Sequence, residues 1–149
     1  MAHKDFYSRL VYARNWPLIG RLAYYVLKFL GVEIPRFVEI GHDFYLVHGG
    51  FGVVIHPHTI IGERVKIYPG VILGRADIHI SADKSAFEAI HIEDDFILSP
   101  GAKILCKQGV LRVGKGTVIG ANAVLLHSTG EREIWAGIPA KNVGSRAAS

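Results

Sequence analysis

His48 is followed by Gly49-Gly50-Phe51-Gly52, a setting that gives an imidazole room to act as a base. A group that titrates near neutrality can take a proton from a hydroxyl and return it to a leaving group. Glycines beside it let the backbone turn sharply and let a substrate come close to the main chain. The chain holds 8 histidines, and the others invite less. His79 and His91 flank a long polar stretch and are placed to touch an acceptor. His56 and His58, either side of Pro57, read as exposed corner residues, and His3 and His127 as surface residues. Cys106 has no neighbouring base to activate it and reads as a core residue. Glu93-Asp94-Asp95 reads as a solvated corner.

What must position these side chains is a repeat. Aliphatic residues recur at intervals of six as Ile34, Ile40, Leu46, then Ile55, Ile61, Ile67, Leu73, then Ile92, Leu98, Ile104, then Val113, Ile119, Leu125. No α-helical period gives six, and an alternating strand does not demand it. A hexad repeat marks a parallel β-helix, in which each hexad forms one face of a triangular coil and its aliphatic residue points inward. The expected class is all-β: a left-handed parallel β-helix of roughly four coils over residues 33–128. A short helical segment, 1–32, precedes it. A closing segment, 129–149, follows, and its tail Ser145–Ser149 is expected to be disordered. The register slips between Leu46 and Ile55, between Leu73 and Ile92, and between Ile104 and Val113. Insertions in a repeat leave the coil as loops, so the His48 segment and the loop over 75–91 are the places to look for chemistry.

The leader differs from the body in charge. Residues 1–36 carry six basic residues against Asp5 and Glu33, which accounts for the whole net charge of +4. Residues 5–31 read as two helices broken at Asn15-Trp16-Pro17. Phe6, Leu10, Ala13 and Pro17 form one face, Leu18, Leu22, Tyr25 and Phe29 another, and Gly31 is a stop. Two readings of this segment stand together. It caps the open end of the solenoid, and its aromatic, basic surface makes peripheral contact with a membrane. No secretory leader or spanning segment is visible, and one cysteine suits a reducing compartment. The expected location is cytoplasmic, at or near the inner face of the membrane. No nucleic-acid-binding motif accompanies the basic leader, so nucleic acid is not an expected partner.

The hexad array, the segment HGGFGVVIHPHTIIGERVKIYPGVILG and the closing WAGIPAKNVG resemble hexapeptide-repeat acyltransferases. The branch is that of the serine acetyltransferases and their relatives in surface-polysaccharide synthesis, and the resemblance covers about residues 33–144. It implies acetyl-CoA as co-substrate, His48 as general base, and a homotrimer with active sites between subunits. It places the acidic partner of His48 at Glu33, where the serine acetyltransferases have Asp. Spacing agrees with this, because fifteen residues is close to one coil. A carboxylate on one imidazole nitrogen fixes the tautomer and raises the basicity of the other. The resemblance also places Gly74, Gly101, Ala121 and Lys141 along coenzyme A, the small residues beside the pantetheine arm and the lysine near a phosphate.

The departures concern the acceptor. Val47 stands where serine acetyltransferases have Asp, and Glu88-Ala89 where they have Arg-His. The link after His48 is one residue longer, and Val118 replaces a family lysine. These changes move the expected acceptor from serine to a hydroxyl on a saccharide. The expected activity is therefore acetyl-CoA-dependent O-acetylation of a saccharide or related hydroxyl. The alternatives are serine O-acetylation, N-acetylation of an amino sugar, and a β-helix that transfers no acyl group. The last could be a scaffold or a zinc carbonic anhydrase, but the anhydrases' closely spaced histidine pair is missing, so no metal is expected.

Overall fold

The computed structural model describes residues 5–147. Asp5 accepts the Ser8 N–H and starts α1 (Phe6–Ala13). The chain breaks at Asn15–Pro17 and resumes as α2 (Gly20–Phe29). Gly31, at φ 83, ends it, with the Val32 N–H returning to the Leu27 carbonyl. No helix among the described residues is long and apolar enough to cross a membrane.

Four triangular coils follow. The first contains β1 (Glu39–Ile40), β2 (Tyr45–Leu46) and β3 (Val54–Ile55). The second contains β4 (Thr59–Ile61), β5 (Lys66–Ile67) and β6 (Ile72–Arg75). The third contains β7 (Phe87–Ile92), β8 (Ile97–Leu98) and β9 (Lys103–Cys106), and the fourth β10 (Gly109–Val113), β11 (Val118–Ile119) and β12 (Val124–Leu125). Each strand pairs in parallel with its counterpart one coil on, giving three sheets along the axis. The first sheet runs β1-β4-β7-β10, the second through β2-β5-β8-β11 and the third β3-β6-β9-β12. The second sheet ends in the hairpin of β13 (Glu133–Gly137) and β14 (Ala140–Ser145), which closes the far end.

The core is a column of inward side chains. Of the hexad aliphatics only Ile40 is half-buried; the rest are buried. A second inward row lies two residues before them: Phe44, Val53, Thr59, Val65, Val71, Ile90, Phe96, Ala102, Leu111, Thr117 and Ala123, all buried. Period-two alternation within each short strand puts both rows on one face.

The helices cap the first coil. Val11 and Leu27 join Val32, Ile34 and Val38 in the core. The Tyr12 hydroxyl donates to the Gly41 carbonyl at 2.6 Å and accepts the Phe44 N–H. Arg14 is buried and donates to the carbonyls of Val11, Pro35 and Val38, which lowers the cost of placing its charge there. Burial pushes its guanidinium down to about 10, still charged at neutral pH. Two expectations need correction. The face of Phe6, Leu10, Ala13 and Pro17 is not a uniform one: Phe6 and Pro17 are exposed, while Leu10 packs on the core beside Val11. The tail is also not disordered from Ser145: that residue ends β14, and Arg146 Nη1 donates to the carbonyls of Asp95 and Gly116, while Ala148 and Ser149 lie outside the described residues.

Candidate active site

The first coil carries its insertion at the corner between the second and third sheets. After β2 the chain makes a tight, kinked turn over Val47–Gly50 that is not a regular helix. His48 (φ 52, ψ 32), Gly49 (φ 76), Gly50 (φ 65) and Gly52 (φ 76) are all left-handed. Packing explains two of the glycines. A Cβ on Gly49 would lie 2.7 Å from the Tyr7 ring, and one on Gly50 2.6 Å from a Leu46 methyl. Histidine in this region costs about 1–3 kcal/mol, and the same left-handed conformation recurs at Asp43, Arg64, Asp95, Asn122 and Arg132. The turn presents His48 exposed at the corner, with Tyr68 meeting its ring edge-on at 6.4 Å between centroids. Among the described residues no hydrogen bond engages the imidazole.

Glu33 is bridged to Val54, six residues beyond His48, and no hydrogen bond or ion pair joins the Glu33 and His48 side chains among the described residues. The Glu33 N–H donates to Val53 and its carbonyl accepts from Ile55. Its carboxylate accepts from Lys28 Nζ at 3.2 Å, which ties it to α2.

Above His48 the same corner becomes a ledge of bare backbone. Gly52, Gly70, Gly101 and Asn122 stack in left-handed conformations, one per coil. A Cβ on Gly52 or Gly70 would lie 3.5 Å from the next glycine's Cα, and one on Gly101 would lie 2.1 Å from Asn122 Oδ1. Ala121 sits exposed beside Asn122. Lys141, exposed on β14, pairs with Ala136, whose methyl would be 3.4 Å from a Cβ on Gly120. Gly74 lies on the third sheet, paired with Leu105, and a Cβ there would meet nothing within 4 Å.

The two histidines expected near the acceptor lie elsewhere on the single chain. His79 is exposed in the long loop. That loop is latched by Arg75 Nε to Asp77 Oδ1 (2.9 Å), Arg75 Nη2 to the Ile80 carbonyl (2.8 Å) and Ser85 Oγ to Asp77 Oδ2 (2.6 Å). The bonds from Arg75 and then Ser85 hold the Asp77 carboxyl below the usual range. His91 lies on the first sheet, across the prism from the His48 corner, and meets Arg112 Nη1 at 2.8 Å. Burial and then Arg112 push its pKa down. His56 packs edge-on against Phe87 at 4.7 Å beside His58, and burial, His58 and Arg75 push its pKa down. The sequence showed Arg75 and Asp77 only as polar loop residues. Nothing in it signalled that Tyr7 and Tyr68 would flank the His48 turn.

A cavity of about 520 Å³ lies along the corner between the first and second sheets and does not include His48. Arg64, Lys66, Asp95 and Arg132 line it, and Arg64 is committed to Asp95 and Glu63. Among the described residues no three His, Cys, Asp or Glu side chains are grouped to hold a metal ion.

Known proteins resemble the chain along nearly its whole length. The serine acetyltransferase of Bacillus licheniformis is 36% identical over 137 residues, which is 91% of this chain and 59% of the relative. A serine acetyltransferase structure from Vibrio cholerae superimposes with a TM-score of 0.77 at 26% identity, over 95% of this chain and 54% of that one. A serine acetyltransferase in complex with CoA superimposes at 0.67 and 30% identity, over 92% of this chain and 53% of that one. The fold is the left-handed parallel β-helix of hexapeptide-repeat acyltransferases. No family model matches the chain. The chain spans somewhat over half the length of the curated relatives it matches. A match over 91% of the chain takes in the hexads and the His48 corner.

Proposed function

We propose that this chain is an O-acetyltransferase that uses acetyl-CoA, with His48 as general base. The carrying observation is the exposed histidine held in a strained left-handed turn, at the foot of a backbone ledge where coenzyme A can lie. His48 takes the proton of the acceptor hydroxyl as its oxygen attacks the thioester carbonyl. Backbone N–H groups at the glycine turn or in a facing coil hold the resulting oxyanion. His48 then returns the proton to the departing thiolate, so protons balance over the cycle. Glu33, once released from Lys28, orients the ring. Gly74, Gly101 and Ala121 make room for the pantetheine arm, and Lys141 meets a phosphate. The resemblance supports a homotrimer with the site between subunits, which would bring groups of a neighbouring chain to the His48 corner.

Serine is the first acceptor to test, ahead of the saccharide inferred from sequence departures alone, because the relatives that match the chain are serine acetyltransferases. One observation keeps a saccharide hydroxyl as the second reading. Val47, Glu88 and Ala89 stand where the serine enzymes have Asp and Arg-His, and Val47 is buried, so no charged group replaces the missing Asp at that position.

The test has two parts. Titration calorimetry with acetyl-CoA should show about one site per chain. Free-thiol release is then followed with serine, simple sugars and amino sugars as acceptors, with mass analysis of the product to separate ester from amide. His48→Ala should bind acetyl-CoA and release no thiol above background. Absence of acetyl-CoA binding by folded protein would refute the reading and direct attention to zinc content and a scaffold role.

A further inference from the structure

The face of α2 that turns away from the solenoid is apolar. Ala23 and Leu27 face the core, and the opposite stripe is Leu22, Tyr25 and Phe29, continued at the helix start by Leu18. These side chains are 68%, 59%, 91% and 95% exposed in that order. At 100° per residue, Leu22, Tyr25 and Phe29 fall within about 60° of one another. Arg21 and Lys28 fall together on one flank of the stripe. Phe51 lies at the far end of α2, where its ring touches Gly31, and Phe37 follows Arg36, which bonds the Arg14 carbonyl at the helix turn. Both phenylalanines are largely exposed. Scattered apolar residues are normal on a protein surface, but a contiguous aromatic and aliphatic stripe on one helix marks a contact site.

Charge selects the occupant. Of residues 6–32, Arg9, Arg21 and Lys28 are exposed and basic, Arg14 is buried, and none is acidic. Arg21 has no ion-pair partner among the described residues, whereas Lys28 shares Glu33. A second copy docking stripe to stripe would bring these cations together. An anionic lipid surface takes them favourably, and acyl chains accept protruding Leu, Tyr and Phe side chains without needing a matching groove.

We propose that α2 and its flanking aromatics lie in the interface of an anionic bilayer, with the solenoid axis leading away from the membrane. The inference is independent of the acetyl-transfer reading, because it rests on no residue of the His48 corner. The stripe enters at the depth of the glycerol and upper acyl region, and Arg21 meets lipid phosphates. Trp16, also exposed, sits at the same end.

The full chain is mixed with phosphatidylcholine vesicles with and without phosphatidylglycerol, and binding is read by co-sedimentation. Emission from Trp16 is read in a Trp135→Phe background. The expected result is binding to the anionic vesicles, weakened by salt, with a blue shift of Trp16. Leu22→Ser with Phe29→Ser should weaken binding at least about tenfold. Arg21→Glu, which leaves the stripe intact, should weaken binding to anionic vesicles more than to neutral ones. Circular dichroism and molecular mass confirm that the variants fold and assemble as the parent does. Failure to sediment with any vesicle, or sedimentation that the serine pair leaves unchanged, would overturn the proposal. A fall in the mass of the protein in vesicle-free buffer on introducing the serine pair would assign the stripe to a second copy and overturn it equally.

Discussion

Lys28 and Glu33 form an ion pair, Nζ to Oε1 at 3.2 Å, that links α2 to the coil beneath His48. The hydrogen bond and charge of Glu33 raise the pKa of Lys28. The carboxylate best placed by sequence to orient His48 is thus occupied in the isolated chain. Its backbone still lies along Val53–Ile55, the strand that leaves the His48 corner. If Glu33 orients the base, breaking the pair should free it and removing the carboxylate should disable it. Glu33→Gln is expected to lower kcat by about 10²-fold with little change in acetyl-CoA affinity, whereas Lys28→Ala should not lower kcat. Steady-state kinetics on both variants checks this, and an unaffected kcat in Glu33→Gln removes Glu33 from the mechanism.

Arg14 is the polar centre of the helical cap. Its guanidinium satisfies three main-chain carbonyls, and its own carbonyl accepts from Arg36 Nε at 2.8 Å. Arg14→Ala would leave buried carbonyls without donors and is expected to cost about 3 kcal/mol. Arg14→Lys, which reaches fewer acceptors, should recover only part of that. Denaturant titration at constant m-value measures both. A loss within about 0.5 kcal/mol for the alanine variant would show that water satisfies the cap instead.

How much of this was legible in the sequence depends on which residues repeat. The hexad aliphatics were visible because all are Ile, Leu or Val at one spacing. The second inward row was not, since Phe44, Thr59, Ala102 and Leu111 share only a position two residues before the hexad and no side-chain type. His48 stood out through its glycines, but the left-handed turn that presents it depends on Tyr7 and Leu46, the first of them 41 residues away. The Leu18-Leu22-Tyr25-Phe29 stripe was legible as a helical face. That it points outward could not be read, because Ala23 and Leu27 supply an equally regular inner face. Lys28 as the holder of Glu33 is a five-residue contact across the helix end, and Arg112 as the partner of His91 a contact between neighbouring strands of successive coils; hexad periodicity encodes neither.

Asp77 organises the long loop. It accepts from Arg75 and from Ser85, eight residues on, and is almost fully buried. Asp77→Ala should release residues 76–86 while leaving the coils intact. The expected signature is faster proteolytic cleavage within that loop, at Lys84 or Arg75, with near-parent thermal unfolding of the solenoid. If the loop contributes to the acceptor site, KM for the acceptor rises and KM for acetyl-CoA does not. Unchanged cleavage would mean that the β6 and β7 pairings alone hold the loop.

His91 and His56 predict a pH dependence of stability. Both have pKa values pushed below 6.5, first by burial, then by Arg112 for His91 and by His58 and Arg75 for His56. Glu39 opposes the shift at His91 without reversing it. A depressed folded-state pKa means that the unfolded chain binds protons first. The contribution is present above about pH 6.5 and is lost as pH falls through the folded values. Denaturant midpoints should therefore be level above neutrality and decline below it. His56→Gln with His91→Gln should flatten that decline; an equally steep decline in the double variant would assign it to other groups.

Gly74 and Gly101 separate room for a ligand from room for the fold. Gly101 is left-handed at φ 71, and a Cβ there would lie 2.1 Å from Asn122 Oδ1. Gly101→Ala is expected to destabilise the third and fourth coils by about 1–3 kcal/mol, whatever binds outside. Gly74 is not left-handed, and a Cβ there meets nothing. Gly74→Ala should fold as well as the parent, and Gly74→Leu nearly so, since both side chains project into open space. If the pantetheine arm passes over this strand, the two variants weaken acetyl-CoA binding in order of size, with the leucine reaching a loss of about 10²-fold, roughly 2.7 kcal/mol. Calorimetry beside thermal unfolding reads both quantities on the same samples. Equal acetyl-CoA affinity in Gly74→Leu and the parent would move the arm off the third sheet and leave the ledge of Gly70, Gly101 and Ala121 as its only track on this chain.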